Sequence, residues 1–278
     1  MNRVNGFLDF AIDKSYEEAI FDKTIIKISP YKNIFFLKNK KLFYKESSFY
    51  YLEVLGSAIL NYLEVNHIDY DLARFKFDDF ITLGVVSKDY SKEGYLPVNF
   101  NEIIENYLKE IPINLHPKNP MNLDFIKKAL EYRYQNYPNK DIIIDNIFNN
   151  LIKYLCVDLL IGNYDNGPFN YEILESKNHA MLAPYGDFGL TFNFNKTTRF
   201  TISDNEDYSI LGNIRALLNS KYDDIFISMY ERLEVNKLLE IIDKMEVRIP
   251  DNLKNILYLS YARHYDNIGN IKKLKKKR

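Results

Sequence analysis

The sequence predicts an α+β fold with two lobes, a small β-rich lobe with one helix at residues 1–95 and a larger, mainly helical lobe at 96–271. Strand-like alternation of apolar and polar residues dominates the first part of the chain, and long segments with helical periodicity follow from Phe100 onward. Residues 89–101 are polar and rich in turn formers, which indicates the boundary between the lobes.

The first lobe is expected to contain two strand regions and one helix. Residues 24–46 alternate as in a small antiparallel meander, and residues 79–88 resume the strand pattern. Residues 48–65 between them have the pattern of an amphipathic helix. Its apolar stripe consists of Leu52, Leu55, Ile59 and Leu63.

The second lobe is expected to be a helical bundle interrupted by one hairpin. Helical periodicity occurs at residues 101–111, 122–135, 140–161, 209–220, 223–233, 235–245 and 252–268. Residues 171–174 and 180–184 have the character of short strands on either side of a polar turn. Pro117, Pro120 and Pro138 indicate connections between helices, because proline is poorly tolerated in a helix interior.

Composition limits the classes of function that fit the chain. The 278 residues are 46% hydrophobic, enough for a large core, and 37 basic against 38 acidic side chains give no global field that would favour nucleic acid. The one cysteine, Cys156, allows no intramolecular disulfide, and the amino-terminal segment does not resemble a secretory signal. We therefore expect a cytoplasmic protein without membrane insertion and without general DNA binding.

The carboxyl-terminal run at residues 272–278 carries six cationic side chains. Like charges repel each other and bury nothing, so this run is expected to be a solvated, disordered tail. Contact of the tail with nucleic acid, with anionic lipid or with a partner is the alternative interpretation.

The segment from Gly162 to Gly189 contains four of the ten glycines and most of the candidate chemistry. It begins with GNYDNGPFN, in which Asp165 precedes Asn170 by five positions, and it continues to LAPYGDFGLTF, in which Asp187 begins a DFG sequence. An acidic residue, an asparagine five positions later and a DFG occur in this order in protein-kinase active sites. Phosphoryl transfer needs a carboxylate near the attacking hydroxyl, as Asp165 could provide, and hard oxygen ligands for Mg²⁺, as Asn170 and Asp187 could provide.

Each motif also has a purely structural interpretation. Asn, Asp and Gly are common turn formers, so NYDNG could be only a tight turn and DFG only a loop exit. The context favours a site, because the apolar helical segment 140–161 leads directly into the first motif and the predicted hairpin separates the two motifs.

Residues 158–170 and 181–192, DLLIGNYDNGPFN and MLAPYGDFGLTF, resemble the HipA-like kinases, which include the CtkA-type bacterial serine/threonine kinases. The resemblance implies a bilobal protein-kinase-like fold and phosphorylation of Ser/Thr hydroxyls on protein with ATP and Mg²⁺. It also implies Asp165 as the catalytic residue, Asn170 and Asp187 as metal ligands, a nucleotide and a protein substrate as partners, and an antitoxin-like protein as a further partner.

The resemblance extends upstream to a strand lysine and a helix glutamate. HipA-like kinases have a strand lysine followed shortly by a helix with a glutamate, and Lys45 and Glu53 occur here in that order. The resemblance implies an ATP-binding pair, in which Lys45 contacts the phosphates and Glu53 braces the lysine. Strand alternation places Phe43 and Lys45 on one face, and Glu53 flanks the apolar stripe of the predicted helix, so the pair could meet. The alternative is that Lys45, like the lysines at positions 38, 40 and 41, is a solvated hairpin lysine.

The sequence also departs from the family pattern in two places. HipA-like kinases usually have Arg-His after the catalytic aspartate, whereas this chain has Asn166 and Gly167, and no glycine-rich loop precedes Lys45. The turn at residues 29–33 is the candidate replacement, with Ser29 facing phosphate, although its simpler interpretation is an ordinary hairpin turn. A pseudokinase that binds nucleotide and a kinase-fold transferase acting on a small molecule or lipid therefore remain alternatives to a protein kinase.

Overall fold

The computed structural model describes residues 3–4, 7–12, 15–21, 23, 25–27, 34–37, 40–78, 80–165, 167–202, 207–246 and 248–276. The chain forms two compact units. Unit 1 comprises Met1–Tyr90, Gly186–Gly189 and Leu238–Asn255, and unit 2 comprises Ser91–Tyr185, Leu190–Lys237 and Ile256–Arg278. Unit 1 therefore includes two short segments from the part of the sequence that predicted the helical lobe.

The first part of unit 1 alternates between strands and helices. Its elements are β1 (Arg3–Val4), β2 (Phe7–Ala11), α1 (Tyr16–Phe21), β3 (Ile25–Lys27), β4 (Ile34–Leu37), β5 (Leu42–Glu46), α2 (Tyr50–Leu63), β6 (Asp71–Lys76) and β7 (Ile81–Lys88). Its strands form a sheet in the order β1-β2-β6-β7-β5-β4-β3, in which β2 and β6 are parallel and the other neighbours are antiparallel.

The sequence-based prediction for this part is confirmed in its main features. The antiparallel meander expected at residues 24–46 is β3, β4 and β5, the predicted helix is α2, and the strand expected at 79–88 is β7. Strands β1, β2 and β6 were not predicted. The expectation of one helix is corrected too, because α1 is a second.

The short helix α1 has a sequence signal at its start. The Ser15 hydroxyl accepts a hydrogen bond from the Glu18 amide at 3.3 Å, and the Glu18 carboxylate accepts one from the Ser15 amide at 3.1 Å. This is a capping box, in which a serine and a glutamate three positions later satisfy each other's backbone donors. The spacing of Ser15 and Glu18 could therefore have predicted this helix.

Aromatic side chains fill the core on one side of the sheet of unit 1. Phe10 and Phe75, which lie on the parallel strands β2 and β6, stack with ring centroids 4.7 Å apart, and Tyr44 of β5 lies 4.2 Å from Phe75. All three are at most 2% exposed. Much of the aromatic content of the sequence is thus used for core packing, as a half-buried sheet favours.

Unit 2 contains the predicted helices and the predicted hairpin. Its elements are β8 (Leu96–Asn99), α3 (Phe100–Glu110), α4 (Leu123–Tyr134), α5 (Lys140–Ile161), β9 (Glu172–Glu175), β10 (Ala180–Leu182), α6 (Ile210–Leu218) and α7 (Asp223–Arg232). Two further helices, α8 (Val235–Lys244) and α9 (Asp251–Lys276), have residues in both units. Strands β9 and β10 pair antiparallel as expected, and β8 extends them to a three-stranded sheet.

Helix α5 leads into the first candidate motif. It is apolar around most of its circumference, and every residue from Tyr154 to Ile161 is buried. It ends at Gly162, which adopts the left-handed conformation with φ +67°, a frequent helix termination that favours glycine. Within the described part of the chain, neither α5 nor any other helix is both long and apolar enough to span a bilayer.

The basic carboxyl-terminal run differs from its prediction. Helix α9 continues to Lys276, so residues 272–276 are helical, and residues 277–278 lie outside the described residues. The Lys272 ammonium forms an ion pair with Glu231 of α7 and lies 5.7 Å from the ring centroid of Tyr230. A lysine whose ammonium is paired with a carboxylate and lies over an aromatic ring can continue a helix despite neighbouring like charges.

His264 of α9 links the folding of unit 2 to pH. Its ring is 2% exposed, stacks on Phe194 at a centroid distance of 4.0 Å and donates from Nε2 to the Leu159 carbonyl oxygen at 2.9 Å. Burial lowers the pKa of His264 to about 4, only partly opposed by the hydrogen bond to Leu159. The folded protein therefore keeps this imidazole neutral at a pH where an unfolded chain would protonate it.

We expect the free energy of unfolding of unit 2 to fall as the pH is lowered from about 6.5 to about 4, because only the unfolded state binds the proton there. The loss attributable to His264 should reach on the order of 3 kcal/mol at the lower limit. His264→Gln should remove this part of the pH dependence in urea titrations followed at several pH values. The exposed His116→Gln serves as the control, and an unchanged pH profile in His264→Gln would contradict the assignment.

Candidate functional site

Unit 1 brings Lys45, Glu53 and Asp187 together. Lys45 lies in β5 opposite Val85 of β7, and its Nζ atom donates to a carboxylate oxygen of Glu53 in α2. The same Nζ donates to Oδ1 of Asp187 over 2.6 Å. The Glu53 side chain is fully buried, whereas the side chains of Lys45 and Asp187 are 15% and 27% exposed. One ammonium thus joins a buried carboxylate and a partly exposed one.

The second oxygen of Glu53 holds the backbone of the DFG sequence. Its Oε2 atom accepts a hydrogen bond from the Phe188 amide at 2.8 Å. A buried carboxylate needs a cation or several donors to offset its loss of hydration, and Glu53 obtains both. Since these contacts come from β5 and from residues 187–188, Glu53 couples the position of Lys45 to the position of Asp187.

Phe188 fits against α2 because position 56 is a glycine. Phe188 has no solvent exposure, and a Cβ atom on Gly56 would lie 2.3 Å from its Cγ atom, too close for any side chain. The Phe188 ring also meets Tyr70 edge to face, with centroids 6.1 Å apart. Gly56 therefore permits the close approach that brings the Phe188 amide to Glu53.

The charges of this cluster support one another. Burial on its own would lower the pKa of Lys45, but the carboxylates of Glu53 and Asp187 outweigh that effect and raise it above its usual range. The ammonium is therefore charged at neutral pH, although it is largely removed from water. A fixed buried cation beside a partly exposed carboxylate suits the binding of phosphate and a metal ion.

Asp187 itself has an unusual backbone conformation, with φ +70°. Aspartate and asparagine occupy this left-handed region several times more often than most residues do. Asp187 is the first residue of the DFG sequence. The next residue, Phe188, packs against α2 at Gly56, where a glycine leaves room for its ring. The local sequence is thus compatible with a turn that directs the Asp187 carboxylate to Lys45.

Unit 2 brings Asp165 and Asn170 together in the loop after α5. The loop is closed by a 3-10 helix at Pro168–Asn170, in which the Asn170 amide donates to the Gly167 carbonyl oxygen at 2.9 Å. The Asn170 side chain donates from Nδ2 to the Asp165 carbonyl oxygen at 3.0 Å. The spacing of five residues is therefore the result of a compact loop in which the asparagine supports the backbone of the aspartate.

A buried network that the sequence analysis missed anchors both ends of this loop. Asp158, near the end of α5, is 3% exposed and accepts hydrogen bonds from the hydroxyls of Tyr171 and Tyr185. Asn163 donates to the Tyr185 hydroxyl at 2.9 Å. Burial and the nearby Asp158 carboxylate raise the pKa of Tyr185, so its hydroxyl stays protonated and can donate. A carboxylate within the apolar last turns of a helix was the available sequence signal.

Arg199 is a further residue at the candidate site that the sequence did not indicate. Its Nη2 atom donates to Oδ1 of Asp165 at 2.9 Å, and both side chains are partly exposed. The residue lies 34 positions after Asp165, outside both motifs, so no spacing rule indicated it.

A cavity of about 520 Å³ also lies in unit 1, on the side of α2 that carries Val54 and Asn61. Its wall includes Tyr70, Ser87 and Met245, but not Lys45, Glu53 or Asp187. The chemistry of the candidate site therefore does not coincide with this cavity.

The structure thus groups the described candidate residues by unit, with Lys45, Glu53 and Asp187 in unit 1 and Asp165 and Asn170 in unit 2. Carboxylate and amide oxygens of Asp187 and Asn170 are hard donors that fit Mg²⁺, and the Lys45 ammonium fits nucleotide phosphate. The candidate phosphate turn that includes Ser29 lies outside the described residues.

Comparison with solved structures identifies the fold. The Helicobacter pylori proinflammatory kinase CtkA is similar, with a TM-score of 0.68 at 16% sequence identity, over 95% of this chain and 98% of that chain. HipA from the toxin–antitoxin complex of HipA, HipB and operator DNA of Shewanella oneidensis MR-1 matches with a TM-score of 0.54 at 12% identity. This match covers 84% of the present chain and 60% of that chain.

Comparison by sequence adds no relative. No protein-family model matches the chain, and no curated protein matches it. The predicted resemblance to HipA-like kinases is therefore confirmed by structure, at the level of the fold, and the predicted α+β class with a β-rich amino-terminal sheet and a helical carboxyl-terminal part is confirmed with it.

Removing the Lys45 ammonium should destabilise unit 1, because the buried Glu53 carboxylate would lose its cation. We expect Lys45→Met to lower the free energy of unfolding by about 3–5 kcal/mol, and the double variant with Glu53→Gln to recover much of that loss. Urea denaturation measures both effects. The exposed Lys88→Met at the end of β7 is the control, and a Lys45→Met variant as stable as this control would refute the buried ion pair.

Proposed function

We propose that this chain, which has the fold of the HipA-like kinases, is an ATP- and Mg²⁺-dependent phosphotransferase that phosphorylates Ser/Thr hydroxyls on protein. The observation that carries the proposal is the contact of Lys45 with Glu53 and Asp187. A lysine that pairs with a helix glutamate, together with the aspartate of a DFG sequence, is the arrangement that protein kinases need for activity.

In unit 1, Lys45 would bind the α- and β-phosphates and Glu53 would keep its ammonium in place. Because Glu53 also accepts from the Phe188 amide, one carboxylate fixes the position of the cation relative to the Asp187 carboxylate. Such preorganisation lowers the reorganisation needed when charge develops in the transition state. Asp187 would contribute a carboxylate oxygen to the metal.

In unit 2, Asp165 would orient the acceptor hydroxyl and take up its proton. Asn170 would contribute an amide oxygen to the metal while its Nδ2 supports the Asp165 backbone. Bound Mg²⁺ would offset the negative charge on the transferring phosphoryl group. Positioning of this kind, rather than covalent catalysis, accounts for most of the rate enhancement in phosphoryl transfer.

The proposal also assigns a role to each unit and a partner to the chain. We propose that unit 1 acts as the nucleotide-binding lobe and unit 2 as the lobe that presents the acceptor. HipA occurs in a complex with HipB and operator DNA, and the present chain spans about 60% of that HipA chain. An antitoxin-like binding partner is therefore part of the proposal, and the protein acceptor is proposed from the resemblance of the sequence motifs to serine/threonine kinases.

Nucleotide binding should depend on Asp187. ATP with Mg²⁺ should raise the melting temperature of the wild type, since a ligand at a hundred times its dissociation constant adds about 2.7 kcal/mol to the native state. Asp187→Asn should lose most of the metal-dependent part of this shift without unfolding the apo protein, because asparagine also tolerates a positive φ. A shift in wild type that is equally large in EDTA would contradict the metal assignment.

Transfer should depend on Asp165. Asp165→Asn should leave nucleotide affinity nearly unchanged and slow transfer by on the order of 10² to 10⁴, the range for loss of a positioned acid or base. Lys45→Ala should impair both the Michaelis constant for ATP and the rate, because a phosphate-binding lysine acts in the ground state and the transition state. Transfer of label from γ-labelled ATP to protein in a lysate is the measurement, with Asp224→Asn on the surface of α7 as control.

The same assay separates the alternatives. Label transferred only from α-labelled ATP would indicate nucleotidylation, and label on a small molecule or lipid would change the acceptor class. A wild type that binds ATP and Mg²⁺ but transfers no label to any acceptor would be a pseudokinase, and the proposal of an active kinase would be refuted.

A further inference from the structure

The loop that carries Asp165 lacks a cation in its own sequence but obtains one from elsewhere in unit 2. Residues 166 and 167, which follow Asp165, are Asn and Gly, and no Lys, Arg or His occurs anywhere in residues 162–170. In the structure, the guanidinium of Arg199 lies against the Asp165 carboxylate, with Nη2 2.9 Å from Oδ1. The cation beside the Asp165 carboxylate is therefore the guanidinium of Arg199, which lies 34 positions later in the sequence.

Gly167 provides the space through which Arg199 reaches Asp165. A Cβ atom at position 167 would lie 2.7 Å from Cδ of Arg199, so even an alanine would displace the arginine side chain. Gly167 has φ −148°, a conformation open to any residue, so backbone geometry gives no reason for glycine here. The space that the Arg199 side chain occupies does give a reason for glycine at position 167.

The backbone around Arg199 is fixed on both sides. Thr198 accepts a hydrogen bond from the Asn213 side chain at 3.0 Å, and its own hydroxyl donates to the Phe200 carbonyl oxygen at 2.8 Å. Phe200 is buried and packs edge to face on Tyr171, which in turn donates to Asp158. The residue that carries the guanidinium is thus attached to the same buried network that anchors the Asp165 loop.

We propose that Arg199 is a positioning residue for phosphoryl transfer, which orients the Asp165 carboxylate and supplies the cation that the sequence of the loop lacks. This inference rests on the proposed function. An ion pair between partly exposed side chains contributes little to folding stability, so a structural role would leave little reason for the close fit to Gly167. Holding a catalytic carboxylate in one orientation is a role that such a pair can fulfil.

Substitution of Arg199 should therefore affect turnover and little else. Arg199→Ala should lower kcat by about tenfold to a hundredfold, the effect of a misplaced reacting group, while the Michaelis constant for ATP and the melting temperature stay nearly unchanged. Arg199→Lys, which keeps the charge, should recover part of the loss. Arg215→Ala in α6, where an exposed arginine lies 3.9 Å from Asp207, is the matched control and should keep full activity.

Gly167→Ala provides a second, independent test of the contact between Arg199 and Asp165. It should reduce kcat to a similar extent as Arg199→Ala, and the double variant should lose no more than either single variant, because both changes remove the same contact. Losses that multiply in the double variant would overturn the inference, as would an Arg199→Ala variant with unchanged or increased kcat. If the wild type itself transfers no phosphoryl group, the proposed function fails and this inference fails with it; an active wild type with a fully active Arg199→Ala refutes the inference alone.

Discussion

The buried carboxylate of Glu53 is the constraint on which the candidate site of unit 1 depends. A carboxylate without solvent exposure is unfavourable by several kcal/mol unless charge and hydrogen bonds compensate for the lost water. Glu53 finds its compensation in the Lys45 ammonium and the Phe188 amide, which come from a central strand and from a distant segment. Because the carboxylate needs both, strand β5, helix α2 and the DFG segment must take up one arrangement together.

Unit 2 also depends on a buried carboxylate, but different groups compensate its charge. Asp158 lies in the apolar helix α5 and is compensated by two tyrosine hydroxyls rather than by a cation. Tyr171 follows the loop that carries Asp165, and Tyr185 follows strand β10. A single carboxylate therefore holds both segments against α5. The short stacking distance of 4.8 Å between the rings of Tyr154 and Tyr185 shows that aromatic packing supports the same network.

The sequence indicated those parts of the candidate site that lie in short motifs or in one periodic segment. Asp165, Asn170 and Asp187 belong to short motifs with a fixed order, and the amphipathic stripe predicted α2. Lys45 could be chosen among several lysines, and Glu53 as its partner, only through the resemblance to kinases. Strand register depends on pairing across the sheet, which the local sequence does not determine. Arg199 contacts Asp165 across 34 positions, which no local pattern encodes. Asp158 was indicated only by its position in an apolar helical segment, and its tyrosine partners could not be predicted. Ser29 lies outside the described residues.

The composition of unit 1 from three separate segments has a consequence for synthesis of the chain. During translation the amino-terminal strands emerge first, but Asp187 and Phe188 follow about a hundred residues after the end of β7, and residues 238–255 later still. Until then Glu53 has no partner from the DFG segment, and its helix cannot complete its core. Long-range completion of this kind slows folding and exposes apolar surface on the ribosome. A chain that stops before residue 186 would keep the pair of Lys45 and Glu53 but would lack the Phe188 amide at the Glu53 carboxylate and the Phe188 ring against Gly56. The apolar surface of α2 that Phe188 covers would stay exposed, which makes such fragments prone to aggregation and degradation.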